Sequence, residues 1–595
     1  MEELLKWGQE NGIQLPEGIT FVKDEKKGFT SICSNPQGLQ TPRLVAPSNA
    51  LITGGLAEKV FGTKSNGLLK FLLAKLKFDN SPTLINNGTL DLQKKFAPYV
   101  NNLPTIINSP LIWNPREINL LKNTNLGNSI RERLYTIFEQ WHNLIEGNNF
   151  LQSFKPNIEN DLKLFNQWDG LSTQQIYDEI ILKTVNSTSN HWCSFASYLW
   201  SHLIFTSRAF PEYIINPQNC DESSIMLLPI IDLLNHDYTS KVEWSTNNDH
   251  SFMLTLLNNN IKEGEELFNN YGPKGNEELL NGYGFVLEDN ICDSVTLKIK
   301  LPLPIVQNIL QNEPLISLPI IDDYTTYAFD VNPKGNHLNS KTRTVDDYKD
   351  GITYLLNTNN DMSLISLLQV FTFLAKHDSE TVSHSIRARL DGLQGLRNAL
   401  QNKLDNLGQK VPDNKYLQYD IKEYRRYCSR VYRDSQMKIL KHSINVLKKW
   451  EKQWLKEVKS QLLTMDKILK YDTAFTETEL PYCFADNMDG DVSFDSTFDL
   501  FVLWIALKIQ NNSFVERHKS VQSDLQSYIA KHSTNDTKLT INEDTISFYN
   551  TYFPEESRQD TLKIENVHVA LNYITDHTFT RSSKSQETIL VISEE

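Results

Sequence analysis

Apolar positions change their period along the chain, and each change marks a different kind of element. Residues 18–60 mix short apolar runs with Gly28, Pro36, Gly38, Pro42 and Pro47, the punctuation of short strands and turns. Residues 64–210 predict mainly helices. Leu68, Leu69, Leu72, Leu73 and Leu76 recur at helical spacing, and Ser194 to Phe210 reads as a strongly apolar helix. From Ser223 to Leu303 strands and loops return, with an apolar run over 225–231 and alternation over Phe252 to Leu256 and Ser294 to Leu301. Beyond about residue 305 the pattern is helical again. Met437, Leu440, Ile444, Leu447, Trp454, Val458, Leu462, Met465 and Leu469 predict one face of a single long helix. Ile386, Leu390, Leu393, Leu400 and Leu404 predict a shorter one, and the polar segments 331–350 and 405–417 predict loops. The longest apolar run, Leu500 to Leu507, is far short of the ~20 residues a membrane span needs and predicts a buried helix or strand. The fold class expected is α+β: a strand-rich part interrupted by helices, then a helical part, with no internal repeat.

Composition narrows the function classes. The 595 residues carry 59 Lys+Arg against 73 Asp+Glu, a formal charge of −14, which argues against gripping nucleic acid and leaves room for a basic protein partner. A hydrophobic content of 39% and an aromatic content of 10% exclude a mostly disordered chain. The opening MEELLKWGQENG lacks a signal-peptide core. Six scattered cysteines with no C-x-x-C pair fit neither a disulfide framework nor a zinc site. A soluble intracellular protein without metal is the expectation. Common chemistries are also missing. Gly62 to Gly67 has P-loop spacing, but Leu68 and Leu69 stand where Lys and Ser/Thr are needed. Gly282-Tyr283-Gly284 opens a dinucleotide fingerprint that fails at Leu287, and no G-x-S-x-G occurs. Glu265-Glu266 reads as a solvated turn, because neighbours on a strand face opposite ways.

What remains is an ordered set of polar-aromatic clusters between residues 205 and 286. They are Ser207-Arg208-Ala209-Phe210, Asp232-Leu233-Leu234-Asn235-His236, Gly264-Glu265-Glu266-Leu267, Tyr271-Gly272, Asn276 to Leu280, and Tyr283-Gly284-Phe285. Singly each is weak. In this order they resemble the SET-domain protein-lysine methyltransferases, and more closely the branch of the plant Rubisco large-subunit methyltransferase, in which a helical insertion splits the SET fold. Ser109 to Glu117 and Leu120 to Leu126 are similar to that insertion. SHLIFTSRAFPEYIINP, LLPIIDLLNHDYTSKVEW, NNYGPKGNEELLNGYGFVLEDN and FTRSSKSQETIL resemble the fungal ribosomal-protein lysine methyltransferases. The resemblance implies SET parts at residues 1–62 and 206–304, a helical insertion at 63–205, and a helical substrate-binding domain at 305–595.

The resemblance further implies S-adenosylmethionine as methyl donor, no metal, and the lysine ε-amine of a ribosomal large-subunit protein as acceptor. Asn235 and His236 match the cofactor-holding pair, and Lys27-Gly28-Phe29 the cofactor-cradling turn. Lys27 and Thr30 depart from the family's usual small or acidic residue and second glycine. Tyr271 matches the catalytic tyrosine, Tyr283 the tyrosine lining the lysine channel, and Phe285 the aromatic packed on the cofactor. Arg208, Phe210 and Asp232 fall at cofactor- and substrate-side positions, and either Trp244 or Phe252 supplies a second channel aromatic. A lysine with pKa about 10.4 must lose its proton before it can attack, and a phenol with pKa about 10 is a poor base for that step. The implied partner is a basic, lysine-bearing protein met by a monomer in the cytoplasm, with the nucleus also open. The competing readings are the same chemistry on an elongation factor, a histone or a histidine side chain, and a SET-fold binding factor without activity.

Overall fold

The computed structural model describes residues 1–24, 28–39, 42–186, 191–218, 220, 223–258, 261–320, 343–378, 380–410, 419–484, 494, 496–532, 541–553, 562–582 and 586–592. The architecture is α+β. Contacts divide the chain into two units, one of residues Met1–Ser294 with Tyr324–His337 and Leu407–Met437, the other of Val295–Asp323, Leu338–Asn406 and Lys438–Glu595. No helix among the described residues is long and apolar enough to cross a membrane.

In the first unit the strands form small antiparallel ladders. Ile19–Asp24 pairs with Gly28–Cys33, and Phe252–Leu256 lies between Arg43–Ala46 and Val242–Thr246. Ala209–Pro211 pairs with Ile225–Leu227. Helices enclose these ladders, and their ends follow local chemistry. The Asn66–Phe78 helix starts where Ser65 Oγ accepts from the Leu68 N–H, and Phe195–Arg208 where Ser194 Oγ accepts from the Ser197 N–H. Phe138 stacks on Phe195 at 4.1 Å, and the Trp141 indole donates to the Cys193 carbonyl at 3.0 Å. Asn114 caps the Pro115–Asn119 helix in a reciprocal box with Glu117.

In the second unit Val295–Ile299 pairs with Ile352–Leu356, and Gln586–Val591 lies between Leu462–Thr464 and Thr578–Ser582. The Leu500 to Leu507 run is the middle of the Thr497–Asn511 helix. Its Lys508 is fully buried and ion-paired with both Asp472 and Glu479.

One expectation for this half is corrected. The periodic stripe ending at Leu469 is not one helix: the helix runs Glu423–Glu457, and Leu462 belongs to a strand before a second helix, Met465–Tyr471. Pairing of Leu462–Thr464 with Ile589–Val591 buries that segment and overrides its helical spacing. The region beyond residue 305 is mainly helical, as expected, with short strands near its end at Thr578–Ser582 and Gln586–Val591. Of the expected loops, residues 331–342 and 411–418 lie outside the described residues; Ile386–Gly408 continues helical past 405, and Val345–Tyr348 forms a single 3-10 turn.

Candidate active site

The site begins with a short bridge between two chain segments. His236 pairs in parallel with Asn269, the Asn269 N–H donates to the Asn235 carbonyl at 2.8 Å, and the Asp237 N–H to the Asn269 carbonyl at 3.0 Å. Just upstream, buried Ile230 takes φ 72°, a region a β-branched residue avoids at a cost on the order of 1–3 kcal/mol. That turn directs Asp232 to His236 across the end of the Gly264 to Tyr271 segment.

The bridge assembles an aromatic stack. The His236 ring lies on Tyr271 at 4.9 Å and 16°, Tyr271 on Tyr283 at 5.1 Å and 18°, and Phe285 meets Tyr283 edge-on at 6.2 Å. The Tyr271 N–H donates to His236 Nδ1 at 3.1 Å, so the neutral imidazole carries its proton on Nε2. Burial pushes the His236 pKa down to about 4, which holds the ring neutral. The Tyr271 hydroxyl donates to the Leu234 carbonyl at 2.8 Å. Burial raises the pKa of Tyr271 well above that of a free phenol, with Asp232 and Glu266 adding to the shift and Arg208 opposing it. Burial raises that of Tyr283 in the same way. Both phenols stay protonated across the physiological range.

Tyr283 and Phe285 are set by the turn between them. The wide helical turn Leu279–Tyr283 ends at Gly284 with φ 79°, and a Cβ there would come within 2.8 Å of the Asn108 backbone nitrogen. Asn108 Nδ2 donates to the Gly284 carbonyl at 2.9 Å, and Ser109 Oγ to the Asn281 carbonyl at 2.6 Å. Behind Asn108, Arg425 donates from Nε to Asn108 Oδ1 at 2.9 Å and pairs with buried Glu117. Segment 108–117 therefore acts as a brace for the turn.

On another side of the stack lies a buried ion pair. Arg208 Nη1 reaches the Asp232 carbonyl at 3.0 Å and Asp232 Oδ2 at 3.3 Å, while the Tyr99 hydroxyl donates to the same Oδ2 at 2.7 Å. Burial pushes the Asp232 carboxyl up, against the pull of Arg208 and Tyr99. Phe210 is buried between Trp244 at 5.0 Å and Phe252 at 5.5 Å. Phe252 is wholly enclosed, whereas Trp244 is half-buried and its indole donates to Asn269 Oδ1 at 3.0 Å. Asn235 Nδ2 donates to the Phe29 carbonyl at 3.3 Å and to Glu266 Oε1 at 2.7 Å. Its Oδ1 has no partner among the described residues. Gly28 is exposed at φ 83° with open space around it, Thr30 is buried, and Lys27 lies outside the described residues.

Residues from five sequence clusters thus meet in the first unit. Sequence reasoning missed Glu266, Tyr99 and Asn269. The alternation used to set the Glu265-Glu266 pair aside carried the signal for the first: Glu265 turns out to cap Lys262, and Glu266 turns in to Asn235. Tyr99 had no motif to mark it, and Asn269 stood at the head of the phrase NNYGPKGNEELLNGYGFVLEDN with no role assigned to it. Glu266 also lines an open cleft of about 400 Å³ with Lys241, Leu257, Ile261 and Phe268. Among the described residues no group of three or more His, Cys, Asp and Glu could hold a metal ion. The arrangement holds no activated nucleophile. It offers neutral aromatic faces, a fixed phenol and unpaired amide atoms, which suit desolvating and orienting an amine.

Comparison with known proteins adds four findings. The family model described as EFM1 middle domain matches residues 331–458. Ribosomal lysine N-methyltransferase 1 of Saccharomyces cerevisiae is 42% identical over 600 residues, covering 99% of each chain. Protein-lysine N-methyltransferase EFM1 of the same organism is 25% identical over 531 residues, covering 86% of this chain and 84% of its own. A solved structure of Rubisco LSMT bound to AdoMet aligns with 76% of this chain and 92% of its own at 15% identity, with a TM-score of 0.47.

Proposed function

The chain belongs to the SET-domain protein-lysine N-methyltransferases, the family of ribosomal lysine N-methyltransferase 1, and from that membership we propose that it methylates the lysine ε-amine of a ribosomal large-subunit protein with S-adenosylmethionine as donor. When bound, S-adenosylmethionine supplies a methyl group on a sulfonium centre. The residues fit such a group. Oδ1 of Asn235, without a partner among the described residues, is an acceptor for an α-ammonium, the open Gly28 position leaves room for backbone contact, and Phe285 offers an aromatic edge.

The observation that carries the reading is the His236–Tyr271–Tyr283 stack. Its faces are neutral and poorly solvated, so an ammonium entering beside them loses hydration and its pKa falls toward the attacking, neutral form. The Tyr271 hydroxyl donates a hydrogen bond to the Leu234 carbonyl, which fixes the phenol and leaves its lone pairs to orient the transfer. A phenol held protonated is no base, so the lysine proton leaves to water. Tyr283 lines the channel, Asn235, His236, Phe285 and the Lys27 to Phe29 turn hold the cofactor, and Arg208, Phe210 and Asp232 support the substrate side. Trp244, the more accessible of the two candidate aromatics, completes the channel. Residues 1–62 and 206–304 act as the halves of the SET fold, 63–205 as its insertion, and 305–595 as the part that presents the protein substrate. The −14 charge supports a basic target.

The test is incubation with methyl-labelled cofactor and ribosomal subunits in a cytosolic extract, followed by mass spectrometry of labelled peptides. Label on a lysine of a large-subunit protein is expected. Label solely on an elongation factor, a histone or a histidine side chain would overturn the target and leave the chemistry. Absence of cofactor affinity by calorimetry would overturn the donor assignment.

A further inference from the structure

Asn269 is 1% exposed, on a segment where an apolar residue would pack as well. Its Oδ1 accepts from the Trp244 indole N–H at 3.0 Å and from the Asn270 N–H at 2.8 Å. Two N–H donors aimed at one amide atom identify that atom as oxygen, so the NH2 group faces the other way. There it is buried and without a partner. A buried, unpaired amide hydrogen costs stability, which the two bonds accepted by the amide oxygen offset. Of the two bonds the amide oxygen accepts, one comes from the adjacent backbone and the other from the distant Trp244 indole.

Placement gives that bond a consequence. Asn269 is two residues from Tyr271 along the chain. Asn269 is also bridged to His236. The indole it holds is therefore tied to the same backbone that carries the stack, and its ring also meets the buried rings of Phe210 and Phe252. We propose that Asn269 is a positioning residue: it fixes the half-buried Trp244 indole as a wall of the lysine channel, and so sets affinity for the lysine side chain rather than the rate of transfer. The proposal rests on the lysine-channel reading above.

The experiment uses the full chain with 5-fluorotryptophan, saturated with S-adenosylhomocysteine and titrated with Nα-acetyl-lysine amide. The Trp244 resonance is assigned by its loss in Trp244→Phe. In the wild type this resonance should move saturably with the probe. In Asn269→Leu it should be displaced before any addition, with an apparent Kd about fivefold weaker, the scale of one lost hydrogen bond. In turnover assays, Asn269→Leu and Trp244→Phe should each raise KM for the amide about fivefold with kcat within twofold, and the double variant should be no worse than either. A Trp244 resonance unmoved by the probe in a wild type that still methylates it would overturn the clamp alone, as would KM effects that multiply. A chain that neither binds nor methylates the probe would overturn the channel reading with it. Loss of thermal stability in Asn269→Leu with unchanged KM would reduce Asn269 to a packing residue.

Discussion

Replacing Glu117 by Ala tests the brace behind the Tyr283–Phe285 turn. Glu117 is fully buried and Arg425 is 3% exposed in its side chain. Oε2 takes the Arg425 guanidinium and the Asn114 N–H at 3.0 Å, and Oε1 takes the Lys422 N–H at 3.0 Å. Removing the carboxylate strands a buried guanidinium, at about 3–5 kcal/mol. Each of the two N–H groups left without its acceptor adds about 1–3 kcal/mol where water cannot reach it. These terms overlap, and about 4 kcal/mol is the lower expectation. At about 2–4 °C per kcal/mol for a unit of this size, the unfolding midpoint should fall by roughly 8–16 °C, read by scanning calorimetry at pH 7.5. A second variant, Glu117→Leu with Arg425→Met, removes both charges and should regain about 3 kcal/mol of the loss, because neither charge is left stranded. A double variant as unstable as Glu117→Ala would refute the ion-pair argument. With Arg425 no longer fixed by Glu117, Asn108 should hold Gly284 less well, so kcat should fall in the single variant at temperatures where it remains folded.

Gly284→Ala meets both a positive φ and the Asn108 backbone at 2.8 Å; a loss of about 2–4 kcal/mol and a lower kcat are expected from melting curves and turnover, and an unchanged midpoint would refute the close approach. Tyr271→Phe should cut kcat by about 10²-fold or more while the calorimetric Kd for S-adenosylmethionine stays within twofold, and undiminished turnover would show that another tyrosine orients the transfer. Tyr99→Phe takes the 2.7 Å donor from Asp232 and should cost about 1–3 kcal/mol, measured by urea unfolding. His236 links stability to pH. Its pKa falls from about 6.5 in the unfolded chain to about 4 when buried, so the unfolded state binds the proton first. The contribution is complete above about pH 6.5 and is lost between there and pH 4, by about 3 kcal/mol; a His236→Gln variant with the same acid dependence would contradict it. Turnover should rise from about pH 7 to 9 as the substrate lysine loses its proton, and a flat profile would place the limit elsewhere.

Local pattern carried the class of fold and the order of the polar-aromatic clusters. The helix at Phe195–Arg208 and the strand at Phe252–Leu256 follow from their own periods and caps, interactions between residues a few positions apart. The cluster order pointed to an amine methyltransferase because residue type and sequence order survive without coordinates. Tertiary structure decided what those residues touch. Leu462 has a helical neighbourhood, yet it pairs with Val591 because a strand from the far end of the chain buries it. Tyr99 reaches Asp232 across 133 positions, Asn108 reaches Gly284 across 176, and Arg425 reaches Glu117 across 308. None of these pairs has a period or a motif, since hydrogen bonds between distant segments depend on where the fold brings two backbones together. Glu266 and Asn269 stand between the two cases: their facing is implied by alternation, but their partners Asn235 and Trp244 are chosen by the bridge at His236. The sequence by itself determined which chemical groups are present and in what order; folding alone determined which are buried neutral, which are paired, and which amide atoms are left to meet a ligand, because desolvation and hydrogen-bond geometry exist only once the segments are packed.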